Sequence, residues 1–351
     1  MTEKGRGLPA GDRRQIQEIP RALRMTLEKA RSEYGALVRK VRWGEGPVYV
    51  CGAGECAGLG TAAGYAFETF LGWPVVARPV EVFRSYALSL LRPHSVLIMI
   101  SASGEWPEAR DLAHTARERG CTVIVLANTA DSSLVKLAEH VLLASAEGDA
   151  HTPAVIVCLH TAINFLALEA ARVLKRPEPK WKLMVEELNQ LPDTLDWVFT
   201  QLPPVMRSVA GEVAIFPRLR FVGGGFYHFP AWQAARRIEC LTGNRAEAVE
   251  ASEYWSAHAH GVQHDEAALF LSGSNSKIKK LLHRCALQAR QQGTRVLSIT
   301  DSNDRELVEA SDVGILIPSL LEAPACTLAT FVLEWLAIEA RHAVNQPSTS
   351  K

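Results

Sequence analysis

The feature of this sequence that most restricts its fold is a series of short apolar segments that occurs twice with a nearly constant separation. Thr122 and Thr294 are 172 positions apart, and so are Val141 and Val313. A separation this long exceeds the period of solenoid repeats, so it indicates two similar domains. Each segment is followed by a longer helical pattern, which is typical of strand–helix–strand units around a parallel sheet.

Most of the apolar segments are continuous runs of Val, Ile and Leu, as expected for parallel strands that are covered on both faces. They lie at Pro47 to Cys51, Ser95 to Ile100, Thr122 to Ala127, His140 to Ala144, Arg220 to Val222, Ala267 to Leu271, Thr294 to Ile299 and Asp312 to Ile317. We therefore predict an α/β protein. The predicted domains are a helical segment over 1–45, a first α/β domain over 46–176, a helical connector over 177–212, a second α/β domain over 213–340 and a tail over 341–351.

The composition argues against nucleic-acid and membrane partners. The 351 residues include 38 basic and 38 acidic side chains, so no net charge attracts phosphate backbones or anionic lipids. The N-terminal residues lack the apolar core of a signal peptide, and no run of 18 uncharged apolar residues is present. Seven cysteines without a Cys-x-x-Cys pair lack the spacing of a zinc site. We expect a cytoplasmic protein without a metal, cofactor or disulfide framework.

The first candidate binding turn follows the first predicted strand. Its sequence is Cys51-Gly52-Ala53-Gly54-Glu55-Cys56-Ala57-Gly58, and the glycines let backbone N–H groups approach an anion at the start of the next helix. The turn also matches the dinucleotide fingerprint G-x-G-x-x-A. However, the second strand ends in Arg78 instead of the acidic residue that holds a ribose hydroxyl. An anion site, an NADP site and a tight turn without a ligand are the three alternatives.

The second candidate turn is Ser101-Ala102-Ser103-Gly104-Glu105-Trp106, which we call the Ser101 loop. Two hydroxyls, a glycine and free N–H groups at a helix start can hold a phosphate without a lysine or an arginine. The alternative is that Ser103 only caps the helix that begins near Pro107.

The second half offers a carboxylate and two histidines as candidates for proton transfer. Glu239 lies on the helix that follows the turn Gly223–Gly225, and His258 and His260 come after it. A carboxylate whose pKa can be raised and an imidazole can together move a proton near neutral pH. Metal binding by the two histidines is not expected, because no carboxylate or cysteine lies at a suitable spacing. The alternative is that Glu239 only pairs with a neighbouring arginine on the helix surface.

With these motifs, the sequence resembles the SIS (sugar isomerase) domain family. In arrangement it resembles the isomerase half of glucosamine-6-phosphate synthase and the fructosamine-phosphate deglycases. The segments that carry the resemblance are Gln17–Glu28, the Gly52 turn, Val80–Arg84, the Ser101 loop, Ser132–Val135 and Gly223–Phe226. The resemblance implies two tandem SIS domains, each a five-stranded parallel sheet in a three-layer αβα arrangement, and a homodimer.

The resemblance also implies the site and its chemistry. A sugar phosphate would be held by residues of the two turns and by one acidic residue, namely Gly52, Gly54, Glu55, Ser101, Ala102, Ser103, Gly104, Trp106 and Glu147. Glu239 would be the base that moves a proton between C1 and C2 of an open-chain sugar. Either His258 or His260 would serve from the partner subunit.

The sequence departs from the family pattern at several positions. Trp106 stands where the family usually has threonine, which removes a hydroxyl from the phosphate site and adds bulk. The family's catalytic histidine is not at its usual spacing after the base, although His260-Gly261 keeps a His-Gly pair. Lys351 falls one residue short of the spacing of the family's catalytic lysine and receives no role. No glutaminase domain precedes residue 1, so glutamine-dependent amination is not expected.

The leading hypothesis is an enzyme that binds a phosphorylated sugar or amino sugar and performs aldose–ketose isomerisation, deamination or deglycation. The common step is the removal of a proton beside a carbonyl or an imine. One alternative is a non-catalytic phosphosugar sensor of SIS type that kept the fold and lost the proton transfer. A nicotinamide-dependent oxidoreductase is a further alternative, which rests on the Gly52 turn alone.

Overall fold

A computed structural model describes residues 8–176, 180–258 and 265–345. The chain divides into two compact units. The first unit is Ile19–Pro192, and the second unit joins the residues up to Glu18 to those from Asp193 onward. Each unit contains one five-stranded parallel sheet with flanking helices, so the predicted α/β class is confirmed.

The sheet of the first unit has the strand order β2-β1-β3-β4-β5, and every neighbouring pair is parallel. The strands are β1 (Val48–Gly52), β2 (Val75–Pro79), β3 (Val96–Ile100), β4 (Thr122–Ala127) and β5 (His140–Leu143). The helices along this part of the chain are α1 (Ala10–Lys40), α2 (Ala57–Leu71), α3 (Val80–Val82), α4 (Pro107–Glu118), α5 (Pro153–Val173) and α6 (Trp181–Gln201). The chain continues from β1 to one side of the sheet and from β3 to the other, so β1 and β3 flank the reversal of strand order.

The sheet of the second unit has the order β10-β9-β8-β6-β7 and is also parallel throughout. Its strands are β6 (Arg218–Gly223), β7 (Arg245–Glu250), β8 (Glu266–Leu271), β9 (Arg295–Asp301) and β10 (Val313–Ile317). The helices are α7 (Pro203–Ile215), α8 (His228–Thr242), α9 (Ala251–Glu253), α10 (Lys279–Gln291), α11 (Arg305–Ala310) and α12 (Glu322–Asn345). Read from the opposite end, this order repeats that of the first sheet.

The duplication extends to details of the backbone. Gly54 and Gly225 both have a φ of +56°, and each begins a 3₁₀ turn that leads into a helix of 15 residues. Those two helices both end at a left-handed glycine, Gly72 or Gly243. A positive φ favours glycine, because a Cβ in that conformation is strained. The two halves therefore share one folding pattern.

Strand β7 is absent from the apolar series that the sequence shows. Exposed and half-buried residues alternate over most of its length, and it lies at the edge of its sheet. A strand that is covered on one face only alternates polar and apolar residues, so it lacks the continuous apolar run by which central strands are identified.

Two prolines of the connecting region have different effects on its helices. The helix is interrupted before Pro203, because α6 ends at Gln201 and α7 begins at Pro203. Pro192, in contrast, lies inside α6, which continues through it. A proline removes one backbone hydrogen bond of a helix. Here the buried side chains of Leu188, Leu191 and Leu195 hold the helix on both sides of that position.

Helices α5 and α12 are long and apolar enough to cross a membrane by length and composition alone. In both helices the apolar window is buried inside the protein, 94% in Pro153–Val173 and 100% in Glu322–Asn345. Burial of this kind is what a helix in a protein core shows. Helix α5 packs against α2, and α12 packs against α7 and α8.

His283 on α10 forms two ion pairs in the second unit. Its Nε2 lies 2.5 Å from Oδ1 of Asp304, and its Nδ1 lies 2.7 Å from Oε2 of Glu306. Burial lowers the pKa of His283, but hydrogen bonds and charges from the two carboxylates outweigh burial and raise the pKa above 6.5. A pKa raised by folding stabilises the native state fully below the unfolded pKa, and this stabilisation disappears as pH rises through the folded pKa.

We expect His283→Gln to lower the free energy of unfolding by about 2 kcal/mol near pH 5.5, where the imidazole is charged. The loss should be smaller near pH 9, where the imidazole is neutral in both states. Urea unfolding at the two pH values measures the difference. His114→Gln removes an exposed ring beside Glu118 and should change the free energy by less than about 0.5 kcal/mol at either pH. A loss that is equal at both pH values would contradict the pairing.

Candidate functional site

The carboxyl edge of the first sheet carries the two turns expected from the sequence, one after β1 and one after β3. Because β1 and β3 flank the reversal of strand order, these turns border the crevice where open α/β sheets bind ligands. Gly52 must lack a side chain, since a Cβ there would lie 1.9 Å from the carbonyl oxygen of Cys56. The chain therefore turns sharply out of β1 into the 3₁₀ turn Gly54–Cys56.

Hydrogen bonds fix the Ser101 loop from inside. The N–H of Ser101 donates to the carbonyl oxygen of Leu126 at 3.0 Å, so the loop begins in register with β4. The hydroxyl of Ser101 accepts the N–H of Gly104 at 3.2 Å, and the hydroxyl of Ser103 accepts the N–H of Glu105 at 3.3 Å. A hydroxyl that accepts an N–H keeps its own proton, so both serines can still donate to a further acceptor.

Gly104 brings the loop against the segment that follows β4. Its φ of +67° favours glycine, and a Cβ would lie 2.1 Å from the hydroxyl oxygen of Ser132. Ser132 is 1% exposed, and within the described part of the chain its hydroxyl has no hydrogen-bond partner. A buried polar group without a partner costs free energy, so this hydroxyl indicates a place where a ligand oxygen would be accommodated.

The backbone N–H of Ser103 is a second open donor. No acceptor among residues 8–176, 180–258 and 265–345 is hydrogen-bonded to it. We call the hydroxyls of Ser101, Ser103 and Ser132, together with the Ser103 N–H, the cradle. Backbone and hydroxyl donors collected in one turn form the kind of concavity that binds an anion.

Glu105 occupies one amide beside the cradle. Its Oε1 accepts the N–H of Ser133 at 2.9 Å. The hydroxyl and the N–H of Ser133 both lower the pKa of Glu105 below its usual 4.5. Glu105 is therefore ionised at neutral pH, and it withdraws the Ser133 N–H from any other acceptor.

The alternative that Ser103 only caps α4 is wrong. Helix α4 begins at Pro107, and the capping position before it is Trp106, which makes no side-chain cap hydrogen bond. Proline at the first helical position has no N–H that needs an acceptor. The hydroxyl of Ser103 instead serves the Ser101 loop itself.

Trp106 stands between the two turns. The residue is 42% exposed, and its Cζ3 atom lies 3.8 Å from the position that a Cβ would take at Gly54. The indole therefore spans from the Ser101 loop to the Gly52 turn, at the mouth of the crevice.

The two acidic residues expected at this edge have basic neighbours. The Oε2 atom of Glu55 lies 3.2 Å from Nδ1 of His151. Glu147 is exposed in the segment after β5, and its Oε1 lies 3.7 Å from Nη2 of Arg21. Both carboxylates thus belong to loops at the same edge of the sheet as the cradle.

The residues expected to transfer protons lie in the second unit, and Glu239 is at the amino edge of its sheet. Glu239 is exposed near the end of α8 and lines a cavity of about 370 Å³. The other charged side chains of this cavity are those of Arg218, Arg220, Arg245, Glu247 and Glu266. The charges of Arg220 and Glu247 also act on His258. Glu239 and His258 therefore both lie near Arg220 and Glu247. His260 and Lys351 lie outside the described residues.

The simple alternative for Glu239, pairing with a neighbouring arginine, is wrong. The Nε atom of Arg237 donates instead to buried Glu334 at 2.9 Å. The guanidinium of Arg236 lies over the ring of Trp232, 4.8 Å from its centroid. The carboxylate of Glu239 therefore reaches the cavity without an ion pair on its own helix.

His258 is suited to accept a proton at neutral pH. Burial lowers the pKa of His258, and the charge of Arg220 lowers it further, while Glu247 and Glu253 oppose this shift. Because the net pKa lies below 6.5, the imidazole is mostly neutral at pH 7.

We expect the imidazole of His258 to titrate below 6.5, and Glu247→Gln to lower its midpoint further because a negative neighbour is lost. NMR titration of the histidine Cε1–H signals, assigned with His258→Gln, measures both values. Glu309→Gln, which neutralises an exposed carboxylate elsewhere in the same unit, should leave the midpoint unchanged. A wild-type midpoint above 6.5, or a rise on Glu247→Gln, would contradict this environment.

Comparison with known proteins defines the class of protein. The SIS domain family matches residues 43–170 and 217–339, and each match contains one of the two sheets. The chain belongs to the SIS domain family, as its sequence motifs predict.

The chain is also similar to individual members of this family. It is 25% identical over 300 residues to the glutamine–fructose-6-phosphate aminotransferase (isomerizing) of Chlorobaculum tepidum, over 83% of this chain and 47% of that protein. It thus spans about half the length of the curated relatives it matches.

Two solved structures show the same fold. One is the C-terminal domain of glucosamine-fructose-6-phosphate aminotransferase from Francisella tularensis, with a TM-score of 0.85, 16% identity and coverage of 98% of both chains. The other is glucosamine-6-phosphate deaminase from Thermotoga maritima, with a TM-score of 0.71, 15% identity and coverage of 94% of both chains.

Sequence reasoning did not name Ser132 as a site residue, although the segment Ser132–Val135 contributes to the family resemblance. A signal for it exists in the strand order. Ser132 follows β4, and β4 pairs with β3, which precedes the Ser101 loop. Residues that follow neighbouring parallel strands meet at one edge of the sheet, so the Ser132-Ser133 pair could have been placed beside this loop.

Proposed function

We propose that the chain binds a phosphorylated sugar or amino sugar in the cradle of the first unit. On this substrate it acts as an aldose–ketose isomerase, a deaminase or a deglycase. The observation that carries the proposal is the pair of open donors, the Ser103 N–H and the buried Ser132 hydroxyl, at the reversal of strand order. Membership of the SIS family supports it. The names of similar proteins also contain sugar 6-phosphates, namely fructose, tagatose and glucosamine 6-phosphate.

The cradle would hold the phosphate with neutral donors. Three hydroxyl protons and one backbone N–H can each donate to a phosphate oxygen, and hydrogen bonds to a charged acceptor are stronger than those between neutral groups. Gly52, Gly54 and Ala102 would let the backbone approach the ligand, with Glu55 and Glu147 near the sugar hydroxyls. Trp106, at the mouth of the crevice, would contact the sugar.

The proposed chemistry is proton transfer at the carbon beside a carbonyl or an imine. Glu239 would remove this proton, which gives an enediol or an enamine. Return of the proton to the neighbouring carbon completes an isomerisation, and hydrolysis of the imine releases the amine in a deamination or deglycation. His258 or His260 would move the proton of the substrate oxygen. These roles rest on the family resemblance, and the neutral state of His258 at pH 7 supports its part.

We further propose a cytoplasmic homodimer without a nucleic-acid or membrane partner. The formal net charge of zero supports the absence of an electrostatic partner. The burial of the two most apolar helices within the protein supports a water-soluble chain.

We expect Ser132→Ala to weaken the binding of a sugar 6-phosphate such as fructose 6-phosphate about 10-fold, because a hydrogen bond to a charged acceptor is lost. The melting temperature without ligand should stay unchanged or rise, since the variant removes a buried hydroxyl without a partner. Titration calorimetry and thermal unfolding measure the two effects. Tyr34→Phe is the matched control, because it removes another buried hydroxyl without a partner and should leave the affinity unchanged. Equal affinity in the wild type and Ser132→Ala would exclude Ser132 from the site.

We expect Glu239→Gln to slow turnover of the best-binding sugar phosphate at least about 100-fold and to leave its affinity unchanged. Exchange of the substrate C2 proton with deuterated solvent, followed by NMR, measures the transfer step directly. Glu309→Gln is the control carboxylate and should keep wild-type turnover. Unchanged turnover in Glu239→Gln would remove this residue from the mechanism. Ligand binding without any proton exchange in the wild type would instead favour the non-catalytic sensor.

A further inference from the structure

The second unit contains its own copy of the Ser101 loop. The segment Ser272–Lys277 follows β8 as the Ser101 loop follows β3. Its first N–H, that of Ser272, donates to the carbonyl oxygen of Ile299 at 3.2 Å, just as the Ser101 N–H donates to Leu126. Counting from these equivalent bonds, Ser274 takes the place of Ser103.

The amide that is open in the first unit is occupied in the second. The N–H of Ser274 donates to Oδ2 of Asp301 at 2.7 Å. The other oxygen of the same carboxylate, Oδ1, accepts the N–H of Asn303 at 2.9 Å. Asp301 is only 3% exposed, so its carboxylate is held inside the loop as a bound anion would be.

The equivalent residue of the first unit carries no charge. Leu126 pairs with the last residue of β3, and Ile299 pairs with the last residue of β8. Two residues after these positions the chain has Asn128 in the first unit and Asp301 in the second. The amide of Asn128 is engaged elsewhere, because its Oδ1 accepts the N–H of Ala146 at 3.1 Å and its Nδ2 donates to the carbonyl oxygen of Ala146 at 3.0 Å.

Further bonds close the second loop against the segment that follows β10. Oε1 of Glu322 accepts the N–H of Lys277 at 3.3 Å. The hydroxyls of Ser274 and Ser319 lie 3.2 Å apart, and the side-chain amide of Asn275 donates to Leu320 at 3.0 Å. Ser274, Asn275 and Lys277 of this copy are thus held by their own neighbours.

We propose that the Asp301 carboxylate is an internal ligand that fills, in the second unit, the anion position left open in the first. Of the two loop copies in the described residues, only the first therefore keeps this amide open to an anion, and removal of the Asp301 carboxylate opens the Ser274 amide to a small oxyanion. A carboxylate attached to the chain competes against free anions at a high effective concentration, and its charge repels them. The inference shares with the proposed function only the premise that the Ser103 N–H faces an anion.

The test is chemical rescue of Asp301→Ala by sodium formate, which supplies a carboxylate of the size that the variant removes. We expect a melting temperature below that of the wild type that rises with formate concentration, as binding to the native state requires. Sodium chloride at the same ionic strength should give no such rise. Asp301→Asn, whose amide fills the vacated space, should not respond to formate. No rise in Asp301→Ala, or an equal rise in Asp301→Asn, would overturn the proposal.

If Asp301→Ala does not fold, Asp301→Asn carries the test by amide hydrogen exchange in the full chain. We expect the Ser274 N–H to exchange faster than in the wild type, because its acceptor has lost its charge. Asp312→Asn is the control, since Asp312 accepts the N–H of Val296 at 2.8 Å and does not bond the Ser272–Lys277 loop. Unchanged exchange at Ser274 in Asp301→Asn would overturn the proposal. Because these variants alter only the second unit, either failure leaves the Ser132 titration as an independent test of the first.

Discussion

The site depends on how a parallel strand ends. Within the sheet, the backbone donors of β3 find carbonyl acceptors on neighbouring strands, but beyond Ser101, whose N–H still donates to Leu126, the chain leaves the sheet and its amides need other partners. The hydroxyls of Ser101 and Ser103 satisfy the N–H groups of Gly104 and Glu105 and leave the N–H of Ser103 open.

The Ser101 loop of the first unit and the Ser272–Lys277 segment of the second unit occupy equivalent positions but differ in whether their second serine amide is free. Both halves keep the buried parallel strands, the left-handed glycine before the first helix and the serine that opens the loop. Among their differences is the side chain two residues beyond the paired end of the next strand, an asparagine in the first unit and an aspartate in the second. A neutral amide leaves the loop donor open, whereas a carboxylate fills it. A duplicated fold can thus keep its architecture in both copies and an open site in one.

Most of the fold could be predicted from the sequence, because central parallel strands are continuous apolar runs and the repeat fixes their grouping. Strand β7 could not be identified in this way, because an edge strand alternates in polarity and lacks a continuous apolar run. In the site, Ser101, Ser103 and Gly104 are neighbours in sequence, so one motif identifies all three. Ser132 joins them only through the pairing of β3 with β4, which a motif cannot show.

Other properties of the site depend on contacts that only the structure provides. The sequence suggested a capping role for Ser103 and an arginine partner for Glu239, and neither is present. In both cases the local pattern allows the interaction, but a more distant residue or an adjacent amide takes the partner. The pKa of His258 likewise depends on Arg220 of β6 and Glu247 of β7, which are distant from His258 in the sequence or lie on a preceding strand.

The central claim is that the Ser103 N–H is an open anion donor while its counterpart at Ser274 is already filled. Amide chemical shifts of the ¹⁵N-labelled full chain, followed during addition of fructose 6-phosphate, test both halves of the claim in one titration. The account predicts a saturable downfield shift of the Ser103 amide proton and no change at Ser274. A shift at Ser274, or none at Ser103 when the ligand is bound, would contradict it.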